Sequence, residues 1–132
     1  MTIELWTVVA AVVLGLVHIG LASTLAKRQT GIAWSVGARD QSIALTGVAG
    51  RLERAQRNFL ESFPLFVAIV LVAHVAERSN DWSLVGSQLY LWGRVLYLPL
   101  YALGWPWVRT TIWQISMIGI VLVGVSLITG GG

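Results

Sequence analysis

Residues Ile3–Ala26 read IELWTVVAAVVLGLVHIGLASTLA, an apolar run in which Glu4 and His18 are the only ionisable side chains. A helix that crosses a bilayer needs about 20 mostly apolar residues at 1.5 Å rise each. This stretch meets that length by itself. Three further segments match it in character: Leu52–Ala76, Val85–Gly104 and Trp107–Thr129. Four spans and their connections consume nearly all of a 132-residue chain. The expected architecture is an all-α membrane protein, with residues 1–132 forming a single domain, a four-transmembrane-helix bundle.

The composition agrees. Hydrophobic residues make up 56% of the chain and charged ones 11%, where soluble domains carry about 25% charged residues. A separate soluble domain has no room. The first run does not read as a secretory signal, because Glu4 stands where a positive n-region belongs and the apolar stretch is too long, so a retained helix is expected. Cysteine is absent, which excludes disulfides, thiolate metal sites and a cysteine nucleophile; any thiol chemistry must use a ligand's thiol. His18 and His74 have no acidic partner at ligand spacing, so no metal site is expected. A net charge of +3 does not point to nucleic acid, since the basic residues lie at helix ends and inside helices.

Lys27–Arg51 is the one long connection and holds Lys27, Arg28, Arg39 and Arg51, which the positive-inside rule assigns to the cytoplasm. Both termini then face outward, and the Gly104–Pro106 turn, with Arg109 after it, falls on the cytoplasmic side. Trp6 and Trp82 mark the outer interface, Trp105 and Trp107 the inner one. The glycines of the connection (Gly31, Gly37, Gly47 and Gly50) read as surface slack. Gly119 and Gly124 are expected to permit close helix packing, and Pro64 and Pro99 to bend their helices.

Polar residues at membrane depth carry the functional signal. At 100° per residue Arg51, Arg54, Asn58 and Glu61 share one face of the second span within about 80° of arc. Tyr90, Arg94, Tyr97 and Tyr101 form a second stripe on the third span, within about 60°. Counted from the loop side, Glu61 and Arg94 both lie roughly 15 Å deep, so a Glu61–Arg94 ion pair is expected. Tyr97 falls level with Asn58, and Tyr101 with Arg54. Arginines, an amide and phenols rising to the surface make a cleft suited to a small anionic polar ligand.

The run Glu53-Arg54-Ala55-Gln56-Arg57-Asn58-Phe59-Leu60-Glu61-Ser62-Phe63-Pro64-Leu65-Phe66 resembles the second-helix signature of the MAPEG family, the membrane-associated proteins in eicosanoid and glutathione metabolism. Leu91-Trp92-Gly93-Arg94-Val95-Leu96-Tyr97, with Tyr101, resembles its third-helix motif. The chain is similar to bacterial-type members. The resemblance implies a homotrimer with glutathione, as co-substrate, between subunits and open to the cytoplasm. It implies glutathione contacts from Arg54, Asn58, Glu61, Arg94, Tyr97 and Tyr101, with Arg28 a further ligand-binding arginine and Arg51 continuing the stripe. Arg109 resembles the arginine that stabilises the thiolate.

A positioned guanidinium favours a thiolate, the nucleophile that attacks an electrophile or peroxide. A lipophilic second substrate would arrive through membrane lipid. Trp113 stands where some eicosanoid synthases of the family carry tyrosine, so a general glutathione transferase or peroxidase serving detoxification is expected. The other reading is a non-catalytic lipid- or ligand-binding membrane protein on the same scaffold. A transporter is disfavoured because the two stripes end near mid-bilayer.

Overall fold

The computed structural model describes residues 1–38 and 43–130, and all regular structure in them is helical. The elements are α1 (Ile3–Thr30), α2 (Ile32–Val36), α3 (Gly47–Val75), α4 (Asp81–Ala102) and α5 (Pro106–Thr129). Helices α1, α3 and α5 are long and apolar enough to cross a membrane. At 22 residues α4 spans about 33 Å, enough to cross the ~30 Å hydrocarbon layer. Its lower hydropathy comes from the inner face, which buries Ser83, Ser87, Tyr90, Arg94, Tyr97 and Tyr101.

Every long helix begins or ends outside its apolar stretch, for local reasons. Helix α1 runs past Ala26 through Lys27 and Arg28, whose straight side chains favour helix, and stops at Gly31 with φ 86°. Helix α3 starts at Gly47, ahead of the expected Leu52. The Gln29 side chain spans the gap between them, donating to Thr46 O at 2.8 Å and accepting from Thr46 N at 3.0 Å. Helix α4 starts at Asp81, not Val85, because Asn80 and Ser83 form a capping box whose polar residues a hydropathy reading omits. Pro106 occupies the first turn of α5, where its missing N–H costs nothing. The expected loop 27–51 is therefore helical at both ends and holds the short α2 between; Arg39 lies outside the described residues.

Helices α4 and α5 pack antiparallel with their backbones in contact. A Cβ on Gly86 would stand 2.5 Å from Gly119 O, and one on Gly119 2.5 Å from Gly86 O. Gly124, expected to serve the same purpose, meets nothing within 4 Å. Helix α1 contributes a narrow inner seam of Glu4, Thr7, Ala11, Gly15, His18 and Ala22, spaced three or four residues apart as one helix face requires. Gly15 leaves room for Phe59, whose ring lies 3.0 Å from where a Cβ would sit. The cores are Phe66, Val70, Tyr90 and Val123 toward the termini, and Leu52, Ala55, Tyr97 and Tyr101 toward the loop.

At the terminal end Ser83 Oγ lies 2.6 Å from Glu4 Oε1, and Gln88 donates to Thr7 Oγ1 at 2.8 Å. Buried polar groups thus occur in both halves of the bundle. Trp6 and Trp82 are exposed at this end, Trp105 and Trp107 at the other, as amphipathic rings at two interfaces would be.

Candidate functional site

The candidate site is built where α3, α4 and α5 converge at the loop end. Arg51 and Arg54 descend on α3, Tyr97 and Tyr101 on α4, and Arg109 follows the Gly104–Pro106 turn into α5. Gly104, with φ 78°, makes that turn and lets the Arg51 side chain pass at 3.7 Å from the position of an added Cβ. Arg51 Nε donates to Ala102 O at 2.8 Å. Arg54 Nε donates to the Tyr101 hydroxyl at 3.2 Å, and the Arg109 guanidinium lies over the Tyr101 ring at 4.8 Å.

These groups enclose a cavity of about 450 Å³ lined by Arg51, Arg54, Tyr101, Gly104, Pro106 and Arg109. A second, of about 110 Å³, is lined by Asn58, Tyr97, Arg109, Thr110 and Trp113. Arg109 borders both. Among the described residues no carboxylate lines either chamber, while three guanidiniums line the larger one. Arg51 and Arg54 each commit one of five N–H donors, leaving the others free for the paired oxygens of a carboxylate.

Arg94 sits below the chambers and is fully buried. Its Nη1 donates to Asn58 Oδ1 at 2.8 Å, and its guanidinium lies 4.3 Å from the Tyr97 ring centre and 5.6 Å from that of Phe59. Among the described residues its Nε and Nη2 have no partner, nor has either ring nitrogen of buried His18, which stacks on Phe59 at 4.9 Å. Arg94 lines neither chamber; it fixes Asn58 and Tyr97, which do.

The expected Glu61–Arg94 pair does not form. Glu61 is exposed on the protomer, and among the described residues the ion pair is Arg57–Glu53 at 3.0 Å. The cause is azimuth, not depth. The buried face of α3 centres on Ala55, Phe59, Ser62 and Phe66, and by the 100° rule Glu61 points roughly 130° from that direction. Asn58, closer to the core face, takes its place. Arg54 is exposed for the same reason, and its long side chain folds back to reach Tyr101. Arg28 stands exposed in the last turn of α1 and lines neither chamber.

Thr110 and Trp113 line the small chamber although sequence reasoning passed over the first and placed the second only at the position of a tyrosine in some relatives. The available signal was the position of Trp113 on α5, four residues after Arg109 and so on the same face of the helix; Thr110, about 100° round from Arg109, left none.

A helical bundle with membrane-length apolar helices, holding an arginine-lined chamber at one end, defines an integral membrane protein. The MAPEG family model matches residues 6–129, nearly the whole chain, and the chain belongs to that family. Searches of curated proteins and of solved structures gave no match.

Proposed function

We propose that this protein is a membrane glutathione transferase or peroxidase, working as a homotrimer with its site open to the cytoplasm and both termini on the outer side. The observation that carries this reading is the pair of chambers joined at Arg109. Glutathione has two carboxylates, amides and one thiol. The larger chamber offers Arg51 and Arg54 to the carboxylates and the Tyr101 hydroxyl as a further hydrogen-bonding group. The smaller offers Asn58 to an amide and Arg109 to the sulfur.

Arg109 acts by electrostatics: a guanidinium beside the sulfur favours thiolate over thiol, and the proton leaves to water. The thiolate then forms a sulfur–carbon bond to a lipophilic electrophile while the leaving group departs with its electron pair. With a hydroperoxide, it attacks the terminal oxygen and the O–O bond breaks, giving a sulfenic acid and an alkoxide that takes a proton from water to become the alcohol. A second glutathione converts the sulfenic acid to a disulfide and water. Arg94 keeps Asn58 and Tyr97 in place from beneath.

The homotrimer gives roles to Glu61 and Arg28. An exposed carboxylate near mid-bilayer is costly against lipid, and a neighbouring protomer, or the ammonium of glutathione held between protomers, would cover Glu61. Arg28, exposed in the last turn of α1, would meet the ligand from a neighbouring protomer.

The test is conjugation of a generic electrophile by purified protein, compared with Arg109→Ala. Turnover should fall at least about 100-fold in the variant, as when a positioned charge-stabilising donor is removed. Equal inactivity of both proteins with glutathione still bound would favour a non-catalytic ligand-binding role on the same scaffold.

A further inference from the structure

We infer that Trp113 is the specificity-determining residue for the electrophile, selecting planar conjugated acceptors such as haloarenes and aryl enones over flexible aliphatic ones. The inference rests on the glutathione reading and goes beyond it by naming the second substrate's class and the side chain that chooses it.

The chamber that Arg109 shares with Asn58, Tyr97, Thr110 and Trp113 has a volume of about 110 Å³, the share of roughly four liquid waters. A thiol methylene and the reacting atom fill it. The body of the electrophile must lie outside, against whatever forms the chamber's rim.

Most groups on that rim are already engaged. Arg109 is turned toward the Tyr101 ring. The Tyr97 ring is buried and occupied by Arg94. Asn58 Oδ1 is taken by Arg94, and Thr110 Oγ1 donates to Pro106 O at 3.0 Å. Trp113 is the lining residue that keeps a large uncommitted surface, with 38% of the residue exposed. It lies seven residues into α5 from Pro106, so about 10 Å below the helix start, where a lipid-borne substrate approaches. Neighbouring exposed residues are Thr110, Gln114 and the aliphatic Ile115 and Ile118. An indole face beside a cationic site stacks best on a flat, electron-poor ring, which is the form of an activated haloarene.

With such an acceptor, the thiolate adds to the ring carbon that bears the halogen, and the carbon–halogen bond then breaks. The halide carries away the bonding pair, and the thiol proton has gone to water. With an aryl enone, the sulfur bonds to the β-carbon and the α-carbon takes a proton from water.

The experiment compares wild type, Trp113→Leu and Trp113→Phe in nanodiscs with 1-chloro-2,4-dinitrobenzene and with an aliphatic enal of similar hydrophobicity. Glutathione binding is measured calorimetrically on the same preparations. The ratio of kcat/KM for the arene over the enal should fall about three- to tenfold in Trp113→Leu, the range expected for a lost aromatic stack, mainly through KM for the arene. Trp113→Phe should restore part of it. An unchanged ratio with glutathione still binding overturns this inference alone, and so does equal loss with Phe and Leu. Failure of wild type to bind glutathione overturns both this inference and the reading beneath it.

Discussion

Replacing Asn58 with alanine removes the one hydrogen bond that the Arg94 side chain makes among the described residues, the 2.8 Å contact from Nη1 to Asn58 Oδ1. Arg94 is 0% exposed and its Nε and Nη2 already lack partners, so the variant leaves a buried guanidinium with only the faces of Tyr97 and Phe59. Interhelical hydrogen bonds between neutral groups in membrane proteins are worth about 0.6 kcal/mol on average. One that solvates a buried charge belongs near ~1.5–3 kcal/mol. The expected loss for Asn58→Ala is therefore about 2 kcal/mol, read by denaturant titration of the protein in mixed micelles. The double variant Asn58→Leu with Arg94→Met should regain most of that loss, because removing both partners also removes the desolvated charge. A loss within ~0.5 kcal/mol for Asn58→Ala, or a double variant less stable than the single one, would refute the claim that this bond anchors Arg94.

Three other outcomes are expected. Gly119→Ala places a methyl 2.5 Å from Gly86 O and 2.7 Å from Tyr90 N, both backbone atoms, so α4 and α5 must part at a cost of about 1–3 kcal/mol; Gly124→Ala, with open space around it, should be nearly neutral in the same titration. Gln29→Ala loses both hydrogen bonds to Thr46, and hydrogen exchange at the start of α3 should speed up while that of the α4 core does not. Arg51→Gln and Arg54→Gln each remove a guanidinium from the larger chamber, and each should weaken glutathione binding about tenfold, the ~1.4 kcal/mol scale of one charge-assisted contact.

The bundle was legible because apolar runs of spanning length have few other readings. Depth was legible too: the level assigned to Arg54 and Tyr101 is realised in their 3.2 Å hydrogen bond. Azimuth was less so. A stripe read on an isolated helix carries no mark of where the core lies, and α3 turns its Arg54 and Glu61 edge outward while burying Phe59 and Ser62. The start of α1 at Ile3 was legible, whereas that of α4 was misplaced because the polar cap formed by Asn80 and Ser83 extends the helix ahead of its apolar residues. Contacts such as Glu4 with Ser83, 79 residues apart, depend on tertiary packing and leave no local trace in the sequence. The small chamber shows the same limit, since the place of Trp113 beside Arg109 and Tyr97 follows from how α5 meets α4.

Whether the arginine chamber holds glutathione with its sulfur at Arg109 is decided by isothermal calorimetry of glutathione against the protein in nanodiscs, repeated with S-methylglutathione and with the Arg51→Gln, Arg54→Gln double variant. Saturable binding should be nearly abolished in the double variant, and should release protons to buffer with glutathione but not with the S-methyl form. No binding, or binding indifferent to both arginines, would contradict the account.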